Sequence, residues 1–144
     1  MDLNLSVGMT GEKHEIVSND NTAIKYGSGS VSVYATPAMI GLMEGAALNA
    51  IDPHLPEGMS SVGVDLKVRH MAATPVGLAV RAIAELTEID GKRLVFSVKA
   101  FDEKEQIGSG THERYVISVQ KFLEKAEAKK QAGVLPSTAR LSCC

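Results

Sequence analysis

Residues 35–51 read ATPAMIGLMEGAALNAI, and this stretch decides the fold. Thr36 directly before Pro37 indicates a helix start, because Thr is a favoured N-cap and Pro is favoured at the first helical position. The helix is therefore predicted to run from Pro37 to near Ala50, and Asp52-Pro53 is predicted to end it. Because the segment is apolar on almost every face, it is typical of a helix buried at the centre of a domain.

One charged side chain interrupts this apolar helix. Glu44 is the only charged residue between Lys25 and Asp52. A carboxylate in apolar surroundings is costly unless it is paired or protonated. Such a cost suggests a chemical role, so Glu44 is a candidate catalytic residue.

After the helix, the hydrophobic pattern changes from helical to alternating. Strands are predicted at residues 62–70, 78–87, 93–101 and 107 to about 119, as a four-strand antiparallel meander with one or two short strands in front. One helix is covered on all sides only if the sheet curls around it. The predicted fold class is therefore α+β, with a curved antiparallel β-sheet wrapped around one long central helix.

Length and composition predict one domain over residues 1–131, with a solvated helix at its end and a disordered tail at 132–144. The net charge of -2 and the absence of Trp argue against a nucleic-acid partner. No apolar run has the length of a membrane span or a signal peptide. The only cysteines, Cys143 and Cys144, are adjacent, so a cytoplasmic protein without structural disulfides is predicted.

A histidine is predicted to face the central helix. His70 shares its strand face with Val64, Leu66 and Val68 if the alternation is regular. Thr36 stands two turns before Glu44, which is roughly 12 Å of helix rise. Thr36 and Glu44 can therefore line one cleft without touching each other in one chain, and in a dimer the cleft can take residues from both subunits.

These residues together resemble a known family. The resemblance is carried by Thr36-Pro37 with Glu44, then Ser61-Val62-Gly63-Val64, and then Val68-Arg69-His70. Over roughly residues 10–120 the chain resembles the fluoroacetyl-CoA thioesterase-like branch of the hotdog superfamily. The resemblance implies a hotdog fold and acyl-CoA thioesterase activity, with Thr36, Glu44 and His70 as catalytic residues and Gly63 placing substrate or water. The open edge of the curved sheet favours a homodimer or a higher homo-oligomer.

The residue types fit thioester hydrolysis, but the sequence leaves their roles open. Glu44 can act as general base on water or attack the carbonyl to form an anhydride. His70 can orient water, shuttle a proton or protonate the leaving thiolate. Thr36 can position the substrate or act as the nucleophile. Each residue also has a structural explanation: Thr36 as a helix cap, Glu44 paired with an Arg, His70 as a core histidine, and Gly63 at a bulge or close contact.

The chain departs from the family in the segment before the helix. Where the fluoroacetyl-CoA enzyme closes its acyl pocket with aromatic lid residues, residues 25–30 read KYGSGS, which argues against fluoroacetyl selectivity. The expected substrate is therefore a small or medium acyl-CoA. No metal and no cofactor are expected, with coenzyme A entering only as part of the substrate.

Two other functions and one other motif compete with this interpretation. A non-catalytic acyl-CoA-binding hotdog module is disfavoured by the Glu/His pair, and a hotdog hydratase or dehydratase generally relies on an Asp/His motif that is absent. The run THER at residues 111–114 is a weaker candidate site, because neighbours on a strand face opposite sides. Arg114 is one of several cations that can meet CoA phosphates, and the sequence does not single out any of them.

Overall fold

The computed structural model describes residues 3–131, so the predicted tail at 132–144 lies outside the described residues. The strands are β1 (Thr10–Ile16), β2 (Met59–His70), β3 (Ala79–Asp90), β4 (Arg93–Phe101) and β5 (Gln106–Ser118). The helices are α1 (Ala23–Tyr26), α2 (Thr36–Ile51) and α3 (Val119–Glu127), with short 3-10 turns at Asp52–His54 and Ala128–Lys130. No helix within residues 3–131 is long and apolar enough to cross a membrane.

The five strands form one antiparallel sheet in the order β1-β3-β4-β5-β2. Strands β3, β4 and β5 form three strands of the predicted four-strand meander. The predicted pairing of β2 with β3 is wrong, because β2 pairs with β5. The link from β2 to β3 passes the start of α2, where the Tyr34 N–H donates to the Thr74 carbonyl at 2.8 Å. This route separates β2 from β3 and leaves β1 and β2 as the two edges of the sheet.

The central helix α2 packs against β1, β2, β3 and β4, so the sheet curves around it as predicted. The inward residues of β3 and β4 are also as predicted, and all are buried: Val80, Ala82, Ala84, Leu86, Leu94, Phe96, Val98 and Ala100. Strand β1 is longer than the predicted short strand and lies directly on the helix. A Cβ at Gly11 would stand 2.3 Å from the Ala46 carbonyl oxygen, so only glycine permits this contact.

The start of α2 differs from the prediction by one residue, and the difference matters for the site. The N-cap is Ala35, and no side chain caps the helix. Thr36 is instead the first helical residue, so the N-cap explanation for Thr36 is wrong. Its hydroxyl is therefore available for another partner.

A bulge in β2 changes which residues face inward. The register shifts between Gly63 and Asp65, which leaves Val64 without a partner in the ladder and 58% exposed. The predicted inward face is therefore right for Leu66, Val68 and His70 but wrong for Val64. Before the bulge, the inward residues are Ser61 and Gly63, which pair with Val116 and Arg114 on β5.

Candidate active site

Two predicted site residues meet at the N-terminal end of α2. The Thr36 Oγ1 and His70 Nδ1 atoms are 2.7 Å apart, which is hydrogen-bond distance. Thr36 comes from the first turn of the helix, and His70 comes from the last residue of β2. With His70 neutral and its proton on Nε2, the Thr36 hydroxyl donates to Nδ1. A hydroxyl bonded to an imidazole is the arrangement of an activated nucleophile or of a positioned proton relay.

A cavity of about 370 Å³ opens beside this pair. Its lining includes Thr36 and His70, and the other lining residues are small or apolar for the most part: Ala23, Ser28, Gly29, Val31, Val33, Tyr34, Met71, Ala72 and Ala73. The His70 Nε2 atom is buried and has no hydrogen-bond partner within residues 3–131. A buried polar atom of this kind normally has a water or ligand partner, so the pair is a place where a ligand can bind.

Burial makes His70 a neutral base near pH 7. Removal from water lowers the pKa of His70 below its ordinary value of 6.5. A lowered pKa keeps the ring unprotonated under ordinary conditions, which is the state that accepts a proton from a hydroxyl. The electrostatics therefore agree with the hydrogen-bond geometry.

The other two predicted site residues meet farther along the helix. A Cβ at Gly63 would lie 2.7 Å from Glu44 Oε2 and 3.0 Å from His112 Cε1. The absent side chain of Gly63 therefore makes the room in which the Glu44 carboxylate sits. The Glu44 side chain is 42% exposed, so the expectation that its apolar helix buries the carboxylate is wrong, whereas the alternative of a pairing with an arginine agrees with the structure. It has a cationic partner, because Arg114 Nη1 stands 4.0 Å from Oε2.

Arg114 is itself held by a network of hydrogen bonds. Its Nε donates to the Ser61 hydroxyl at 2.7 Å and its Nη2 to the Ser61 carbonyl at 2.9 Å. His112 Nδ1 donates to the Asp65 carbonyl at 2.9 Å, so its Nε2 is left to accept from Arg114 Nη1 at 3.1 Å. Burial lowers the pKa of His112, which favours the neutral ring that this network requires. The network fixes the guanidinium opposite Glu44.

Within one chain, the two pairs stay apart. Thr36 and Glu44 are separated by eight helical residues, roughly 12 Å, and His70 and Gly63 by seven residues of β2, roughly 20 Å. Glu44 does not line the cavity beside Thr36 and His70. The structure therefore joins Thr36 to His70 and Glu44 to Gly63, but it does not bring these pairs into one hollow of a single chain.

Sequence reasoning missed the roles of Arg114 and His112. Adjacent strand residues face opposite sides, which argued against the run at residues 111–114, but His112 and Arg114 are two apart and share the inward face. The usable signal was this spacing together with a lone inward arginine. Its partner was not readable, because the contact of Arg114 with Glu44 depends on the pairing of β5 with β2.

Comparisons with known proteins agree with this architecture. The profile of the family described as FlK, fluoroacetyl-CoA-specific thioesterase, matches residues 17–120. A fluoroacetyl-CoA thioesterase from Streptantibioticus cattleyicolor is 48% identical over 101 residues, which cover 70% of this chain and 73% of that protein.

Solved structures of related proteins have the same fold. A mutant of the fluoroacetyl-CoA enzyme in complex with acetyl-CoA superposes with a TM-score of 0.82 at 39% identity, covering 87% of this chain and 98% of that one. A hot-dog-like protein from Thermanaerovibrio acidaminovorans superposes with a TM-score of 0.80 at 30% identity, covering 92% and 99%. The predicted hotdog fold is confirmed, and the chain belongs to the family of fluoroacetyl-CoA-specific thioesterases.

Proposed function

We propose that this protein is an acyl-CoA thioesterase, which hydrolyses a small or medium acyl-CoA to the free acid and coenzyme A. The observation that carries the proposal is the 2.7 Å contact of the Thr36 hydroxyl with the His70 imidazole, beside a cavity and at a helix N-terminus. Family membership supports the same reaction type, since the named relative is a thioester hydrolase.

The first half of the proposed reaction uses Thr36 and His70. His70 Nδ1 takes the hydroxyl proton while Thr36 Oγ1 attacks the thioester carbonyl. The oxyanion that forms is stabilised by the positive end of the α2 dipole, since Thr36 stands in the first turn. The C–S bond then breaks, His70 returns the proton to the CoA thiolate, and the acyl group is left as an ester on Thr36.

The second half uses water and Glu44. A water molecule attacks the ester while Glu44 takes its proton, and this proton then passes to the departing Thr36 oxygen, so that the Glu44 carboxylate and the Thr36 hydroxyl are restored. Arg114, 4.0 Å from the carboxylate, balances the charge of Glu44 and holds it in place. Gly63 contributes the space that this carboxylate occupies.

This division of labour requires a second subunit, so we propose a homodimer. Strand β2 is an edge strand, with its outer side unpaired in the described chain. If two β2 strands pair antiparallel about a two-fold axis near Lys67, inward residues stand opposite inward residues, and the bulge at Val64 brings Gly63 of the partner subunit close to His70. The Thr36–His70 pair of one subunit then faces Glu44 of the partner subunit, which completes two equivalent sites. A higher homo-oligomer built from such dimers keeps the same sites.

Every step above uses side chains and water, so we propose that turnover needs neither a metal nor a bound cofactor. Activity should then be unchanged after dialysis against EDTA, and a loss restored by a divalent cation would contradict this. We also propose a cytoplasmic location, where acyl-CoA thioesters are available.

A thiol-release assay tests the proposed function. Purified protein is incubated with acetyl-, butanoyl-, hexanoyl- and octanoyl-CoA, and free thiol is measured. The assay is repeated with Glu44→Gln and His70→Ala after circular dichroism confirms that both variants fold. We expect turnover in the wild type and a loss of at least about 100-fold in each variant.

Each contrary outcome has a clear meaning. Turnover at the wild-type rate in both variants removes the proposed site. Tight binding of acyl-CoA without release of thiol favours a non-catalytic acyl-CoA-binding module instead.

A further inference from the structure

We propose that the cavity beside Thr36 and His70 is the acyl pocket, and that it selects an uncharged alkyl chain longer than acetyl. The inference rests on the proposed function, because that function places the thioester carbonyl at Thr36.

The size of the cavity is the first argument. Its volume of about 370 Å³ lies within the range of small-molecule pockets, roughly 300–1,000 Å³. The lining is open because four of its residues have little or no side chain: Ala23, Gly29, Ala72 and Ala73. A two-carbon acyl group would leave most of this space without contacts, whereas a longer chain would fill it.

The chemistry of the lining is the second argument. Val31, Val33 and Met71 present apolar surface to the cavity, and Val31 and Met71 are 60% and 46% exposed within the chain. Covering such surface with an alkyl chain is favourable in proportion to the area removed from water. No Asp, Glu, Lys or Arg of residues 3–131 lines the cavity, so an acyl group with a terminal charge would have no counter-ion there.

The lining also fits an acyl chain better than the pantetheine arm of coenzyme A. Pantetheine carries two amide groups, which need hydrogen-bond partners when they leave water. The Tyr34 hydroxyl already donates to Glu15, and Thr36 is bonded to His70. Among the described lining side chains, the polar groups without an assigned partner are the Ser28 hydroxyl and His70 Nε2, which are too few for the two N–H groups and two carbonyls of pantetheine. The coenzyme portion therefore leaves the carbonyl on the other side, towards solvent or the partner subunit.

The test measures kcat/KM across a homologous series. With acetyl-, butanoyl-, hexanoyl- and succinyl-CoA, we expect kcat/KM to rise by about fourfold per added methylene from acetyl to hexanoyl. Succinyl-CoA, which has the same carbon count as butanoyl-CoA but a terminal carboxylate, should be at least about tenfold poorer than butanoyl-CoA.

Filling the cavity should weaken this preference. Ala73 is exposed, so Ala73→Phe can add bulk to the lining without disturbing the core. We expect hexanoyl-CoA to lose at least about tenfold in kcat/KM while acetyl-CoA changes less than about twofold. Ala128→Phe, at an exposed position in the last 3-10 turn, is the matched control and should change neither value.

A second variant keeps the test decisive if the first one folds poorly. A side chain at Gly29 would start 3.2 Å from the Ala23 Cβ, inside the lining, and Gly29 does not need a left-handed backbone. Gly29→Leu should therefore cause the same shift towards acetyl-CoA.

The failure of the inference is distinguishable from the failure of the proposed function. Hydrolysis with a maximum at acetyl-CoA, or hexanoyl activity unaffected by both filling variants, overturns the acyl pocket and leaves the thioesterase intact. Absence of hydrolysis with every thioester overturns the proposed function and the pocket together.

Discussion

The two polar clusters along α2 are built in opposite ways. At the N-terminal end, Thr36 and His70 share one hydrogen bond beside an open cavity. Midway along the helix, Glu44 faces an arginine that is buried and held by Ser61 and His112. The first cluster has a reactive hydroxyl and room for a ligand, whereas the second has a fixed charge and little freedom.

This difference indicates a division of roles. The Thr36–His70 pair suits bond formation and proton transfer, because its groups border the cavity and His70 is a neutral base. The rigid cluster suits charge placement, because the network leaves Arg114 one arrangement and sets the Glu44 carboxylate against Gly63. Neither cluster alone contains a nucleophile, a relay and a carboxylate.

The largest expected effect comes from removing the reactive hydroxyl. Thr36→Val keeps the shape of the side chain but cannot attack or donate, so kcat should fall by about 10² to 10⁴-fold. Thr111→Val, on the exposed face of β5, is the matched control and should retain wild-type kcat. Wild-type turnover by Thr36→Val would show that this hydroxyl has no chemical role.

The next prediction separates the two halves of the reaction. In Glu44→Gln, the first half remains and the hydrolysis of the ester slows, so an acyl group should accumulate on Thr36. Intact-protein mass spectrometry after mixing with hexanoyl-CoA should show the mass increase, and peptide mapping should locate it at Thr36. No adduct on Thr36 in this variant, despite slow turnover, would favour direct attack by water on the thioester.

A smaller effect tests whether His112 acts through Arg114. His112→Phe removes the acceptor for Arg114 Nη1, so misplacement of the guanidinium should lower kcat/KM by about 10 to 100-fold. His112→Gln can still accept this bond and should recover much of the loss.

A double-mutant cycle then distinguishes positioning from general stability. In an Arg114→Lys background, His112→Phe should lower kcat/KM little further, because the hydrogen bond between the Arg114 guanidinium and His112 is already gone. Additive losses in the two backgrounds would mean that His112 acts independently of Arg114.

The smallest expected effect is a pH dependence of stability. Burial lowers the pKa of His70 and of His112 below the unfolded value of about 6.5. The folded state thus binds protons less readily than the unfolded state, so stability is greatest above pH 6.5 and declines as pH falls through the folded pKa values. The Tm should decrease between pH 7.5 and pH 5.5, by less in His112→Gln. A larger decrease of Tm in that variant would contradict the attribution of this pH dependence to the buried His112.

Much of the fold could be predicted because local patterns determined it. The apolar run of α2 and the alternation in β3 and β4 are strong signals, and each leads to the buried residues that the structure contains. The inward face of strand β2 was harder to predict, because Gly63 and His70 are seven residues apart. In a regular strand they would face opposite sides, and only the bulge at Val64 turns both inward.

The site was predictable to the extent that it depends on single elements. The strand face correctly directed His70 towards the helix that carries Thr36 and Glu44, but His70 was expected to share a hollow with Glu44, and within one chain the structure joins it to Thr36 instead. The surroundings of Glu44 were not predictable, because Arg114 reaches it through the pairing of β5 with β2. Pairing of Glu44 with an arginine was one of the explanations that the sequence left open, but only this long-range strand pairing identifies Arg114 as the partner.

Subunit complementation tests the central claim most directly. His70→Ala and Glu44→Gln, each expected to be inactive alone, are mixed in equal amounts under conditions that allow subunits to exchange. If one site takes His70 from one subunit and Glu44 from the other, half of the dimers are mixed and each has one intact site. Activity should then return to about a quarter of the wild-type value. No recovery, with exchange confirmed by mass spectrometry, would contradict a site shared between subunits.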